Sequence, residues 1–108
     1  MQIENLFEDP DIDFTEISKS IFRQSHDHVF KFLQIDRIYS NGVASDKNFY
    51  YNQDFDEWIL IIEGEATLEI NKIWHKLVKG SYLYIPKHVN HRVESTSQDC
   101  IWLTISWK

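Results

Sequence analysis

Gln53-Asp54-Phe55-Asp56-Glu57-Trp58-Ile59-Leu60-Ile61-Ile62-Glu63-Gly64 opens the stretch that decides the fold. Gly80-Ser81-Tyr82-Leu83-Tyr84-Ile85-Pro86-Lys87-His88-Val89-Asn90-His91 closes it. Trp58 to Glu63 is a nearly unbroken apolar run, which predicts a strand buried on both faces. Glu63-Gly64-Glu65 turns the chain. Ala66, Leu68 and Ile70 then alternate with Thr67 and Glu69, the period-two pattern of a half-buried strand. Asn71-Lys72 leads into a strand over 73–78, and Lys79-Gly80 into another over 81–85. Pro86 has no N–H for a sheet ladder and ends that strand. His91 to Ser95 makes the next one.

Outside this stretch the same punctuation continues. Cys100 to Trp107 reads as a closing strand, with Ile101, Leu103, Ile105 and Trp107 on one face and Cys100, Trp102, Thr104 and Ser106 on the other. Upstream, Phe49-Tyr50-Tyr51 starts a strand, Asn41-Gly42 is a turn, and residues 29–40 are rich in strand-forming side chains. Residues 16–23 fit a helical turn through Ile17 and Ile21, or a strand through Ile17, Lys19 and Ile21; the strand is favoured. Ser25-His26-Asp27-His28 is a polar turn. Residues 1–15 hold Glu4, Glu8, Asp9, Asp11 and Asp13 among scattered apolar side chains and read as an extended N-terminal arm. Eight or nine short strands with brief turns predict an all-β sandwich or small barrel with one interior.

The totals narrow the function. The 108 residues suit one domain over 1–108, and 43% hydrophobic content is enough for a small core. No apolar run approaches the ~20 residues of a membrane helix. The N-terminal residues do not resemble a secretory signal, so a cytoplasmic location and no membrane partner are expected. The formal net charge of −6 argues against nucleic acid, whose phosphates call for a basic patch. Cys100 is the only cysteine, so no internal disulfide can form; it reads as a small core residue rather than a nucleophile.

Glu57 and Gly64 stand with six residues between them, Gly80 and Pro86 with five, and His91 follows Pro86 at the fifth position. On these points the chain resembles the cupin superfamily, in its small single-domain form, over residues 49–107. The resemblance implies a cupin-type double-stranded β-helix, or jelly-roll barrel, and a homodimer. It implies a metal held by three histidines and a glutamate. Here Tyr51 and Gln53 occupy the places of two motif histidines, His88 that of a glycine and Ser95 that of an asparagine. Glu57 and His91 keep their motif identities.

The candidate site follows. Glu57 and His91 should face one cavity. With Gln53, and less readily Tyr51, they could hold a divalent metal such as Zn, Fe, Mn or Ni. Equally, they could form a buried polar pair with no metal, or an acid–base site. Tyr51, His88, Arg37 and Trp102 are candidate contacts to a small-molecule ligand. Arg37 could point outward, or inward to an anionic group. Asp54 and Asp56 share a face opposite Glu57 and read as solvent-facing. His26 and His28 resemble a metal pair but read as a surface turn, and His75 as an outer-face residue. Three functions remain open: a small-molecule-binding cupin without catalysis, a metal-assisted isomerase, decarboxylase or dioxygenase, and an interaction or dimerisation module.

Overall fold

The computed structural model describes residues 5–7, 16–25 and 30–108. The chain is all-β: eight antiparallel strands in two sheets, with no helix among the described residues and so no helix long and apolar enough to cross a membrane. The strands are β1 (Glu16–Ser25), β2 (Phe32–Ser40), β3 (Asp56–Glu63), β4 (Ala66–Ile70), β5 (Ile73–Leu77), β6 (Tyr82–Ile85), β7 (His91–Thr96) and β8 (Cys100–Trp107). One sheet runs β1-β2-β8-β3-β6 and the other β5-β4-β7. The ambiguous segment at 16–23 is therefore a strand, paired along β2 with a bulge between Ser20 and Phe22. The His26-Asp27-His28 turn and the arm residues 1–4 and 8–15 lie outside the described residues.

Register decides which side chains meet. Cys100, Trp102, Thr104 and Ser106 of β8 stand opposite Ser40, Ile38, Asp36 and Gln34 of β2. On the other flank of β8, Ile61, Ile59 and Glu57 of β3 stand opposite Trp102, Thr104 and Ser106. These side chains share the inner face of the large sheet. Ile59, Ile61, Ile85, Cys100 and Trp102 meet Ala66, Leu68 and Leu77 of the small sheet in the buried core. The inner face is apolar at the Cys100 end and polar at the Ser106 end.

The outer face of the large sheet carries Leu33 and Ile35, Ile101, Leu103, Ile105 and Trp107, with Trp58 and Leu60 beside them. Trp58, Leu60 and Ile62 are half-buried while Ile59 and Ile61 are buried, so β3 is not buried on both faces as its apolar run suggests. Hydrophobicity could not reveal this, because both faces carry apolar residues and only the inner one meets the second sheet. Aromatic rings continue the outer surface: Tyr84 stacks on Trp107 and Trp58 tilts against Tyr82, which is 68% exposed.

Phe49-Tyr50-Tyr51 does not start a strand. Residues 41–55 form a long connection that runs beside β7, and only Tyr51 makes a β-bridge, to His91. Backbone and side-chain hydrogen bonds hold the rest. Ser45 N–H donates to the Val93 carbonyl at 2.9 Å, the Ser45 hydroxyl accepts from Val93 N–H at 3.0 Å, and Thr96 Oγ1 donates to the Val43 carbonyl at 2.5 Å. On the outer face of the small sheet, Arg92 pairs with Glu69 and Glu94 and donates to the Ser45 carbonyl at 3.1 Å.

Gly64, one of the fixed points of the sequence pattern, sits in the turn between β3 and β4 at φ +79°. A Cβ there would lie 2.6 Å from Ser97 Oγ and 2.9 Å from Cys100 Cα. Gly80 shares a positive φ of +87° but has open space around it. Gly64→Ala should lower unfolding stability by about 2 kcal/mol or more, combining left-handed strain with a backbone clash. Gly80→Ala should cost only about 1 kcal/mol. Urea denaturation of the two variants beside the parent protein checks the difference.

Candidate functional site

The two sheets and the 41–55 connection line a partly open cavity of about 210 Å³. β3 supplies Glu57 and Ile59 to its wall, β8 Trp102 and Thr104, β2 Ile38 and Ser40, and β7 His91 and Val93. Tyr51 and Gln53 enter from the connection, and Glu16 from the edge strand β1, where it is exposed. Five of the expected site residues, Gln53, Glu57, His91, Tyr51 and Trp102, thus line one cavity.

Strand alternation brings Glu57 inward with Ile59 and Ile61. Its Oε2 accepts one long hydrogen bond, 3.5 Å from Ser106 Oγ. Burial raises its pKa from the usual carboxylate range to about 7; the Ser106 hydroxyl opposes the shift and the Asp36 carboxylate adds to it. His91 starts β7 and is 5% exposed. Its Nδ1 lies 2.9 Å from the Val89 carbonyl, which can only accept, so Nδ1 carries the hydrogen and Nε2 is the acceptor of the neutral ring. Burial lowers the His91 pKa, against the pull of that hydrogen bond.

Tyr51 is fixed to His91 twice over. Their backbones exchange hydrogen bonds of 2.7 and 3.1 Å, and their rings stack with centroids 5.4 Å apart. Burial raises the Tyr51 pKa, and the Glu16 and Glu57 carboxylates raise it further, so the phenol stays neutral at physiological pH. The Trp102 indole N–H donates to Ser40 Oγ at 3.2 Å, which orients the ring at the boundary between core and cavity.

Two of the expected ligand contacts lie elsewhere. Arg37 falls on the outer face of the large sheet, opposite Lys19 and Leu103, because odd-numbered residues of β2 point away from the barrel interior. There its guanidinium donates to the Leu6 carbonyl at 2.7 Å. His88 is exposed, in a left-handed turn at φ +65°, with Nδ1 3.3 Å from Asn52 Oδ1. Its part is played by its backbone: His88 N–H donates to the Gln53 carbonyl at 2.7 Å and so fixes the residue that does line the cavity. Asp54 pairs with Lys108, and Asp56 accepts from the Tyr84 hydroxyl at 2.6 Å. His75 and its neighbour Trp74 are exposed.

Sequence reasoning missed Glu16, Ser40 and Thr104. Thr104 was legible as a face-mate of Trp102, but the opposite face of β8 is the more apolar and competes for the interior. Glu16 comes from the segment whose periodicity was ambiguous.

The donor set does not fit a resident divalent metal. Among the described residues no group of three or more His, Cys, Asp or Glu could hold one. Tyr51 would have to lose the proton of a phenol whose pKa burial raises, and Gln53 offers a neutral amide oxygen. One carboxyl, Glu57, and one imidazole, His91, are left.

These observations define a jelly-roll barrel with a mixed polar and apolar interior. The family model for the cupin domain matches residues 43–106, and the chain belongs to that family. Among solved structures it is similar to a protein from Ralstonia eutropha JMP134 provisionally named as a mannose-6-phosphate isomerase. Identity is 29% over 100% of this chain and 99% of that one, with a TM-score of 0.86. A cupin superfamily protein from Desulfitobacterium hafniense DCB-2 matches at 22% identity and TM-score 0.69, over 85% of this chain and 76% of that one. KdgF from Halomonas sp. matches at 13% and 0.72, over 91% and 84%. No curated protein matches the chain.

Glu57 gives a pH signature. Its folded pKa lies above the unfolded value, so folding takes up a proton, and its contribution favours the native state most below pH ~4.5 and declines as pH rises through about 7. Glu57→Gln removes the buried anion. The variant should be more stable than the parent protein by on the order of 3 kcal/mol at pH 8 and by less than about 1 kcal/mol at pH 5. Paired urea titrations at the two pH values measure that gap.

Proposed function

We propose that this cupin binds a small molecule in its barrel cavity and does so without a resident metal. The observation that carries the reading is the wall itself. Apolar side chains (Ile38, Ile59, Leu68, Ile85, Val93) face a handful of convergent polar groups (Glu57, Gln53, His91, Ser40, Thr104) around about 210 Å³. That composition suits a ligand site: apolar contact supplies affinity and a few placed polar groups fix orientation. In the family pattern the places filled here by Tyr51 and Gln53 belong to histidines, and both substitutes are neutral side chains. Elemental analysis of protein purified without a metal-affinity tag should find no stoichiometric metal, and added Zn, Mn, Fe or Ni should leave the melting temperature unchanged. A fragment screen followed by amide NMR should move the resonances of Tyr51, Gln53, His91 and Trp102 together. Stoichiometric metal lost in His91→Ala would overturn the metal-free reading.

A second reading is favoured by one observation: a carboxyl titrating near neutrality and a neutral imidazole stand on the walls of one cavity. Such a pair can give and take a proton on a bound ligand. The isomerase name carried by the Ralstonia protein is compatible with proton transfer. Whether a bound ligand is recovered unchanged separates binding from turnover.

We also propose a homodimer through the outer face of the large sheet. Five strands about 4.8 Å apart and a central strand of eight residues at about 3.3 Å each present on the order of 600 Å². This approaches the ~800 Å² per partner of a standard interface. Light scattering after gel filtration should give twice the chain mass. Leu103→Lys, at the centre of the face, should give the monomer with an unchanged circular dichroism spectrum.

A further inference from the structure

Among the described residues the cavity wall is charged with one sign only: no Lys or Arg of theirs lines it, whereas Glu57 and Glu16 approach it from different strands, β3 and β1. Asp36 stands on the same inner face of the large sheet, one strand beyond β8 from Glu57. Its carboxylate accepts from the Ser20 hydroxyl at 2.9 Å and from the Gln34 amide at 2.9 and 3.1 Å. The nearby cations serve other surfaces. Arg37 is turned to the outer face and donates to the Leu6 carbonyl. Arg92, on the outer face of the small sheet, is held between Glu69 and Glu94. The imidazole of His91 is neutral, with Nδ1 committed to Val89.

An anionic ligand would therefore meet no fixed positive charge among the described residues, the buried Glu57 carboxyl in surroundings that screen it less than water does, and the Glu16 carboxylate at the solvent-exposed rim. A cation meets the reverse. Its charge lies among carboxyl groups, and two aromatic rings, Tyr51 and Trp102, line the same wall. Its apolar part has Ile59, Leu68, Ile85 and Val93 to contact. A cavity of about 210 Å³ suits a compact ligand.

Building on the small-molecule-binding reading, we infer that the cavity selects an organic cation, an amine on a compact apolar body, and excludes carboxylic acids and phosphate esters. The sugar-phosphate name of the Ralstonia protein thus does not carry over to this cavity.

The test uses three probes of nearly equal size and different charge: benzylamine, benzyl alcohol and benzoate. Each is titrated at pH 8 into the full chain by calorimetry, with amide NMR reporting the site. Benzylamine should bind at least tenfold more tightly than benzyl alcohol, and benzoate should not bind. Glu16→Gln, at the exposed rim where folding is safe, should reduce the amine preference severalfold, and Glu57→Gln should reduce it further. Binding of benzoate as tight as that of benzylamine, equal binding of amine and alcohol, or a preference untouched by both substitutions would overturn the charge selection while leaving cavity binding intact. If none of the three moves the Tyr51, His91 and Trp102 resonances, the binding reading itself fails, and this inference with it.

Discussion

On β2, β3 and β8 the inward side chains change from apolar to polar toward the Ser106 end: Ile38 gives way to Asp36, Trp102 to Thr104 and Ser106, and, one inward pair later, Ile59 to Glu57. Register locks these changes to each other. A slip of one residue in the β3–β8 ladder would send Glu57 outward and bring Trp58 into the barrel. Because register fixes these positions, one part of the interior closes as a core around Ile61, Leu68 and Cys100, while the rest is left as a cavity with both apolar and polar walls. Polar groups packed at interior density would need partners for every atom. Among the described residues Glu57 has one long hydrogen bond, and burial raises its pKa to about 7, so it carries a proton in acid and a charge at pH 8. The protonation of Glu57 thus follows from strand pairing.

The 41–55 connection completes the site in another way. It has no strand of its own, yet one bridge and a set of side-chain to backbone hydrogen bonds hold it beside β7. The Tyr51 ring lies on the His91 ring, so residues 40 positions apart act as a single wall element. Long connections without secondary structure are uncommon in compact folds and often carry function. This one carries Tyr51 and Gln53, the positions at which the chain departs from the histidine pattern of its family.

The fold was legible because turns and alternation are local signals. Gly64, Gly80 and Pro86 each mark a real strand end, and the two faces of β8 separate as its alternation indicates. Gln53, Glu57 and His91 were legible as neighbours through motif spacing alone. Three features were not. Which face of β8 looks inward depends on the partner sheet, and the more apolar face turns out to be the outer one. Arg37 sits in a strand whose alternation gives two faces without saying which is inside. Residues 49–51 are rich in strand formers, but their pairing is spent on one bridge, because the connection must follow the rim of β7. Each of these is settled by long-range contact, to which a local window is blind.

Gly64 fits against Cys100 and Ser97 with no room for a methyl group, whereas Asn71 and Lys72, at the tip of the β4–β5 hairpin, are exposed and both left-handed at φ +49° and +68°. The barrel therefore has one corner where the chain cannot be lengthened and one where it can. A guest peptide, or the new termini of a circularly permuted chain, belongs between Asn71 and Lys72, on a tip whose residues do not line the cavity.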